Sequence, residues 1–178
     1  MSRRGPPGRE TAAAESGDRR TWYGWGQLTR VEKRGVGLFL HDVTRVFSEL
    51  SIVSLPVLLA VMEYPTTGWF DAKATALVAW TTAVVVATLI RIGAVHPVGT
   101  ATPGWVTLSP WLVALRVPYF NASLALAIFG GLAVHEATTA LGGEFAGLVV
   151  GLGWAGTVAA GSVLAFPRVA EEWLSVVR

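Results

Sequence analysis

Beyond Glu49 most charged residues in this chain stand far apart, and several of the stretches between them are apolar over membrane-crossing lengths. From Phe145 to Phe166 the sequence FAGLVVGLGWAGTVAAGSVLAF carries no charge. As a helix rising ~1.5 Å per residue it covers a hydrocarbon core of ~30 Å. A second run lies between Lys73 and Arg91; it spans about 26 Å, with both end charges able to snorkel. A third begins near Leu112 or Pro118 and ends near Val134. The fourth, nearest the N-terminus, is the weakest. Glu49 and Glu63 are separated by only about 20 Å of helix, so Glu49 must sit at the edge of the membrane or snorkel out of it. The pattern predicts an all-α integral membrane protein. Its core is a four-transmembrane-helix bundle over residues 46–166, with spans at about 46–64, 72–92, 112–134 and 144–166.

The flanks differ. Residues 1–21 are rich in Arg, Gly, Pro and Ala without apolar periodicity, and read as a disordered basic tail. Arg3-Arg4 is not followed by the apolar run that a twin-arginine export signal needs. Residues 22–45 read as an interfacial amphipathic segment. Trp22, Tyr23 and Trp25 open it, Val36, Phe39, Leu40 and Val43 recur at helical spacing, and Arg30, Lys33, Arg34 and Arg45 suit an anionic surface. Residues 167–178 read as a short interfacial helix after a stop at Phe166-Pro167. Between the second and third spans, the loop from Ala94 to Pro110 is ordered against the headgroups by Trp105 and Trp111, or re-entrant. Trp69 and Phe70 anchor the turn after the first span, and a short loop from His135 to Gly143 precedes the fourth.

Small residues form two stripes. Gly143, Gly147, Gly151, Ala155 and Ala159 recur at every fourth position, as do Ser123, Ala127, Gly131 and His135. Each series lies on one helix face, where another helix can approach closely. Proline interrupts the spans at Pro56 and Pro118, and with Asn121 these are candidates for a hinge or a polar lining. Asn121-Ala122-Ser123 fits a glycosylation sequon, but its place inside a span rules it out.

Composition supports the membrane class: 52% of residues are apolar and 15% charged, against about a quarter charged in soluble domains. The net charge of +2 gives no reason to expect nucleic acid. With four spans both termini share a side, and only Lys73 among the basic residues falls on the other. The positive-inside rule then predicts a multi-pass cell-membrane protein with both termini cytoplasmic.

The chemistry is sparse. Cysteine is absent, and no Walker loop, HExxH or GxSxG motif occurs. No cofactor is expected. His41 and His96 are weak haem-ligand candidates, and His135-Glu136 a weak metal or proton site. Glu49, Arg91 and Arg116 all fall near the inner boundary, which makes an ion pair of Glu49 with Arg116 or Arg91 the sharpest structural expectation. No ionisable residue falls at the midplane of a span, where ion-coupled transporters usually place one. Trp80 and Trp154 lie inside spans, where each indole N–H needs an acceptor. The leading functional reading is a structural or accessory subunit, in the lipid bilayer, packing against a membrane-protein partner or its own copies. The alternatives are a small oligomeric transporter or channel, and a lipid-acting enzyme using His41, Asp42, Glu49, His96 and Arg116. The balance is against an enzyme.

Overall fold

The computed structural model describes residues 36–65, 70–100, 104–106 and 109–177. The expected tail, the aromatic cluster at Trp22–Trp25, Arg30, Lys33, Arg34 and Trp69 lie outside these residues. Among the described residues all regular structure is helical: α1 Val36–Val53, α2 Leu55–Glu63, α3 Ala72–Arg91, α4 Pro110–Gly142 and α5 Glu144–Val177. Three of these, α3, α4 and α5, are each long and apolar enough to cross a membrane. A fourth crossing exists only if α1 and α2, bent by 69° at their junction, count as one span.

Local chemistry sets the helix starts. Asp71 Oδ1 accepts from the amides of Lys73 at 2.9 Å and Ala74 at 3.1 Å, capping α3. Ser109 Oγ accepts from Leu112 N at 3.3 Å. Pro110 follows it at the first position of α4, where its missing N–H costs nothing.

The two longest helices differ from expectation at their ends. α4 runs on through His135 to Gly142, where a loop was expected, because Glu136, Ala137, Ala140 and Leu141 favour helix and neither proline nor glycine intervenes before Gly142. Gly143 alone links α4 to α5, at φ +84°, a conformation that disfavours any side chain. The two helices therefore fold back on each other as an antiparallel hairpin. α5 continues past Phe166-Pro167 to Val177 rather than stopping there. A proline opens the helical turn before it, and on that turn Leu164 O accepts from Val98 N of the α3–α4 loop at 3.0 Å.

α3 fills the angle of this hairpin with a face of alanines. Ala72, Ala76, Ala79, Ala83 and Ala87 are all buried. Their spacing of three and four residues is the core stripe of a helix that must pack closely. At the far end, Trp105, Tyr119, Phe120 and Phe166 form an aromatic plug, with Phe120–Phe166 centroids 4.9 Å apart and Trp105–Phe166 5.6 Å. Trp105 is thus no headgroup anchor: it is 4% exposed. Its loop turns inward at Gly104, φ +98°, while Trp111 keeps an exposed ring.

Candidate functional site: a buried charge cluster and a spliced helix break

α1 turns its two carboxylates inward among buried apolar residues and leaves a second set of apolar residues facing outward. Asp42, Val46, Glu49, Leu50 and Val53 are buried, whereas Val36, Phe39, Leu40 and Phe47 are exposed. Of the apolar positions expected at helical spacing, Val36, Phe39 and Leu40 are exposed and Val43 is half-buried. The two carboxylates stand seven residues apart, two turns along the buried face.

Each meets an arginine from another helix end. Arg91, in the last turn of α3, donates from Nε to Asp42 Oδ1 at 2.8 Å. Arg116, in the second turn of α4, brings Nε to 3.0 Å from Glu49 Oε1. Glu49 therefore faces Arg116, and Arg91 takes a residue that the sequence had not singled out as its partner. Arg116 is fully buried. Its Nη2 donates to Val106 O at 2.6 Å, and its guanidinium lies 5.5 Å from the Phe166 ring centroid. Trp105 Nε1 reaches Glu49 Oε1 at 3.4 Å. Glu49 Oε2 and Arg116 Nη1 are buried without a hydrogen-bond partner among the described residues.

Electrostatically this is two neutral pairs in a place that excludes water. Burying a pair costs solvation that the mutual attraction only roughly offsets, but removing one member leaves an uncompensated charge. Such a cluster fixes register: it ties α1 to α3 and α4 and binds the 104–106 strap over them. As a catalytic set it is poorly arranged, since Asp42 is held by Arg91 and Glu49 by Arg116. His41 Nδ1 lies 3.7 Å from Asp42 Oδ1 with a third of its side chain exposed, and His96 is exposed.

The junction of α1 and α2 is closed by a side chain from α4. Pro56 has no N–H for Ile52 O, so the helix opens here. Asn121 enters the gap: its Oδ1 accepts from Val57 N–H at 2.9 Å, and its Nδ2 donates to Val53 O at 2.7 Å. Those two backbone groups, four residues apart, would bond each other in an unbroken helix. The amide is thus spliced into the ladder. Nδ2 also reaches Val117 O at 2.6 Å, on the turn that Pro118 disturbs. Pro56 and Pro118 themselves face outward.

Between α4 and α5 the glycines are in backbone contact. A Cβ on Gly151 would stand 2.8 Å from Gly131 O, and one on Gly147 2.8 Å from His135 O. Distances this short leave room only for hydrogen on Cα, the setting for weak Cα–H···O contacts. Ala127, Ala155 and Ala159 are buried in the same contact and Ser123 is half-buried. Gly143 does not belong to the stripe. It is the turn residue, with open space where a Cβ would stand. Gly130 makes room for the Trp154 indole, which donates to Leu126 O at 3.2 Å. Trp80 packs edge-on to Phe47 and its Nε1 has no partner among the described residues.

Three features escaped sequence reading: the Asp42–Arg91 pair, the inward Trp105–Val106 strap and the alanine face of α3. The first had a signal, since Asp42 and Glu49 share one face with Val46, Leu50 and Val53. Among the described residues no group of three or more His, Asp or Glu side chains is placed to hold a metal ion.

Fold and site together define an all-helical protein with three or four apolar helices of membrane-crossing length, held at one end by buried ion pairs. The chain belongs to the family described as Domain of unknown function (DUF8215), whose model matches residues 33–173 and so takes in all of α1 to α4 and most of α5. No curated protein and no solved structure matches it.

Proposed function

We propose that this chain is a multi-pass cell-membrane protein, with both termini cytoplasmic, that serves as a helix-packing accessory subunit. The membrane setting is supported by α1, whose outer face is apolar while its carboxylates point inward, as suits a helix bathed in acyl chains. Orientation rests on Arg45, Arg91, Arg116 and Arg168 at one end of the bundle against Lys73 at the other.

The observation that carries the packing role is a second small-residue stripe on α5. Gly153, Thr157 and Gly161, again four residues apart, are exposed. A Cβ built on Gly153 or Gly161 meets nothing within 4 Å. In lipid, close helix approach over such residues drives association through packing rather than apolar burial. The occupant is a transmembrane helix with small residues of its own. A second copy of α5 meets that description: copies inserted the same way are related by a two-fold axis along the membrane normal, so the stripe faces itself.

The chain has no cysteine, so Thr157→Cys gives a unique attachment point for a thiol-linked photocrosslinker in native membranes. The expected result is one discrete adduct, either a dimer of the chain or a single second membrane protein. Leu77→Cys, on the exposed side of α3, should give none. Equal and diffuse labelling at both sites refutes the docking face.

A further inference from the structure

The end of the bundle opposite the buried arginines holds a cavity of about 380 Å³, within the size range of small-ligand pockets. Its walls come from three elements: Tyr64 and Pro65 after α2, Phe70 before α3, and Leu132, His135 and Glu136 of α4. Phe70 is 7% exposed and its ring centroid is 4.2 Å from that of His135. Its tip reaches the α4–α5 contact, 3.3 Å from where a Gly151 Cβ would stand. The Tyr64 ring leans on Phe129, with centroids 5.4 Å apart. Both aromatic walls are therefore held by the bundle.

The chemistry of the lining selects the ligand. Among the described residues neither Arg nor Lys lines the cavity, so none of them offers an anion a fixed counter-charge. The described residues offer no three-ligand metal set. What the lining does offer is π-faces beside one carboxylate. Among the described residues, Glu63, Asp71, Glu136 and Glu144 share this end of the molecule with Lys73 as its one basic residue. We propose that this cavity binds an organic ammonium group, with Tyr64 and Phe70 supplying cation–π contact and Glu136 the counter-charge. The group is either the head of a lipid or a free cation. The site stands independently of the helix-packing role.

The test uses the full chain purified in a maltoside detergent, which contains no ammonium. Saturation transfer from protein to the methyl protons of tetramethylammonium reports binding. A second arm compares a short-chain phosphatidylcholine with the phosphatidylglycerol of equal chain length. Tyr64→Leu and Glu136→Gln alter side chains that are exposed at the rim, so the fold survives, as gel filtration and circular dichroism will verify. Each should weaken binding by about tenfold, the worth of one cation–π contact or counter-charge in a partly desolvated site. Saturable tetramethylammonium binding without lipid preference identifies a free cation. Preference for phosphatidylcholine, displaced by tetramethylammonium, identifies a headgroup. Absence of saturable binding together with equal affinity for both lipids overturns the proposal, as does unchanged binding by both variants.

Discussion

Replacing Asn121 by Leu isolates the energetic role of the spliced amide, because the side-chain volume is nearly kept while its hydrogen bonds vanish. The variant leaves Val57 N–H and Val53 O facing each other across an opened turn, too far apart to bond while Pro56 holds the 69° bend. Each orphaned buried backbone group costs about 1–3 kcal/mol. The expected loss is therefore about 2–5 kcal/mol, and hydrocarbon surroundings push it toward the upper end. Reversible unfolding of the purified chain in mixed micelles, titrated with SDS and followed by circular dichroism, measures it. A second substitution makes the reasoning specific. Pro56→Ala restores a donor for Ile52 O and lets the helix straighten, so that the two orphans can bond each other. The double variant should then be more stable than the sum of the single changes by at least about 1 kcal/mol. If Asn121→Leu lies within about 0.5 kcal/mol of the parent, the level of an ordinary surface change, the splice contributes nothing. Strict additivity would likewise sink the argument.

The same unfolding assay serves three further changes. Arg116→Met strands Glu49 and should cost about 3–5 kcal/mol, whereas Glu49→Leu with Arg116→Met removes both charges and should recover most of that loss. Gly151→Ala forces a Cβ against Gly131 O and should cost about 1–3 kcal/mol through displacement of backbone. Gly153→Ala, with open space around it, should instead be neutral or stabilise by up to about 1 kcal/mol. Gly143→Ala places a side chain at φ +84° and should cost about 1–3 kcal/mol, with no change in secondary structure by circular dichroism.

Three of the helices were legible because uncharged runs of spanning length leave little choice of structure. Their ends were less so. Pro167 reads as a stop in any local rule, yet the helix continues through it, with the Val98 amide of a distant loop donating to Leu164 O on the turn before. Gly143 kept the four-residue spacing of its stripe while serving as the turn, since periodicity does not distinguish a ridge from a cap. The buried cluster was half visible. Glu49 and Arg116 stood out because each interrupts an apolar run, which makes a charge at that depth need a partner. Asp42 entered only the enzyme reading and not as a partner for Arg91, because an acid beside His41 and near Arg45 resembles the wet side of an amphipathic helix. Its burial follows from tertiary packing: the arginine at the end of α3 makes the inward position tolerable. Trp105 was misplaced for a related reason. A tryptophan in a Pro- and Gly-rich loop usually marks an interface, and nothing local reveals that α4 and α5 leave an aromatic-lined gap for it.

The irregular positions of this chain bear on the choice between a packing subunit and a conduit. Transporters with broken helices leave backbone carbonyls and amides at the break free to hold substrate or ion. Here the break after Val53 is filled by Asn121 of α4. The turn before Pro167 accepts the Val98 amide, and Val106 O at the inward strap accepts from Arg116. At each of these three points a backbone group is met by a group from another element, so it works as a joint between elements. The interior that results is small-residue contact between helices, with its charges confined to one end and neutralised there. A chain built this way has its unspent capacity for interaction on the outside, along Gly153, Thr157 and Gly161 of α5 and at the aromatic cavity beside Glu136. A flux assay in liposomes sets the two readings apart. The packing reading expects no ion or solute leak from the purified chain alone, and a leak abolished by Pro56→Ala would make the break a gate.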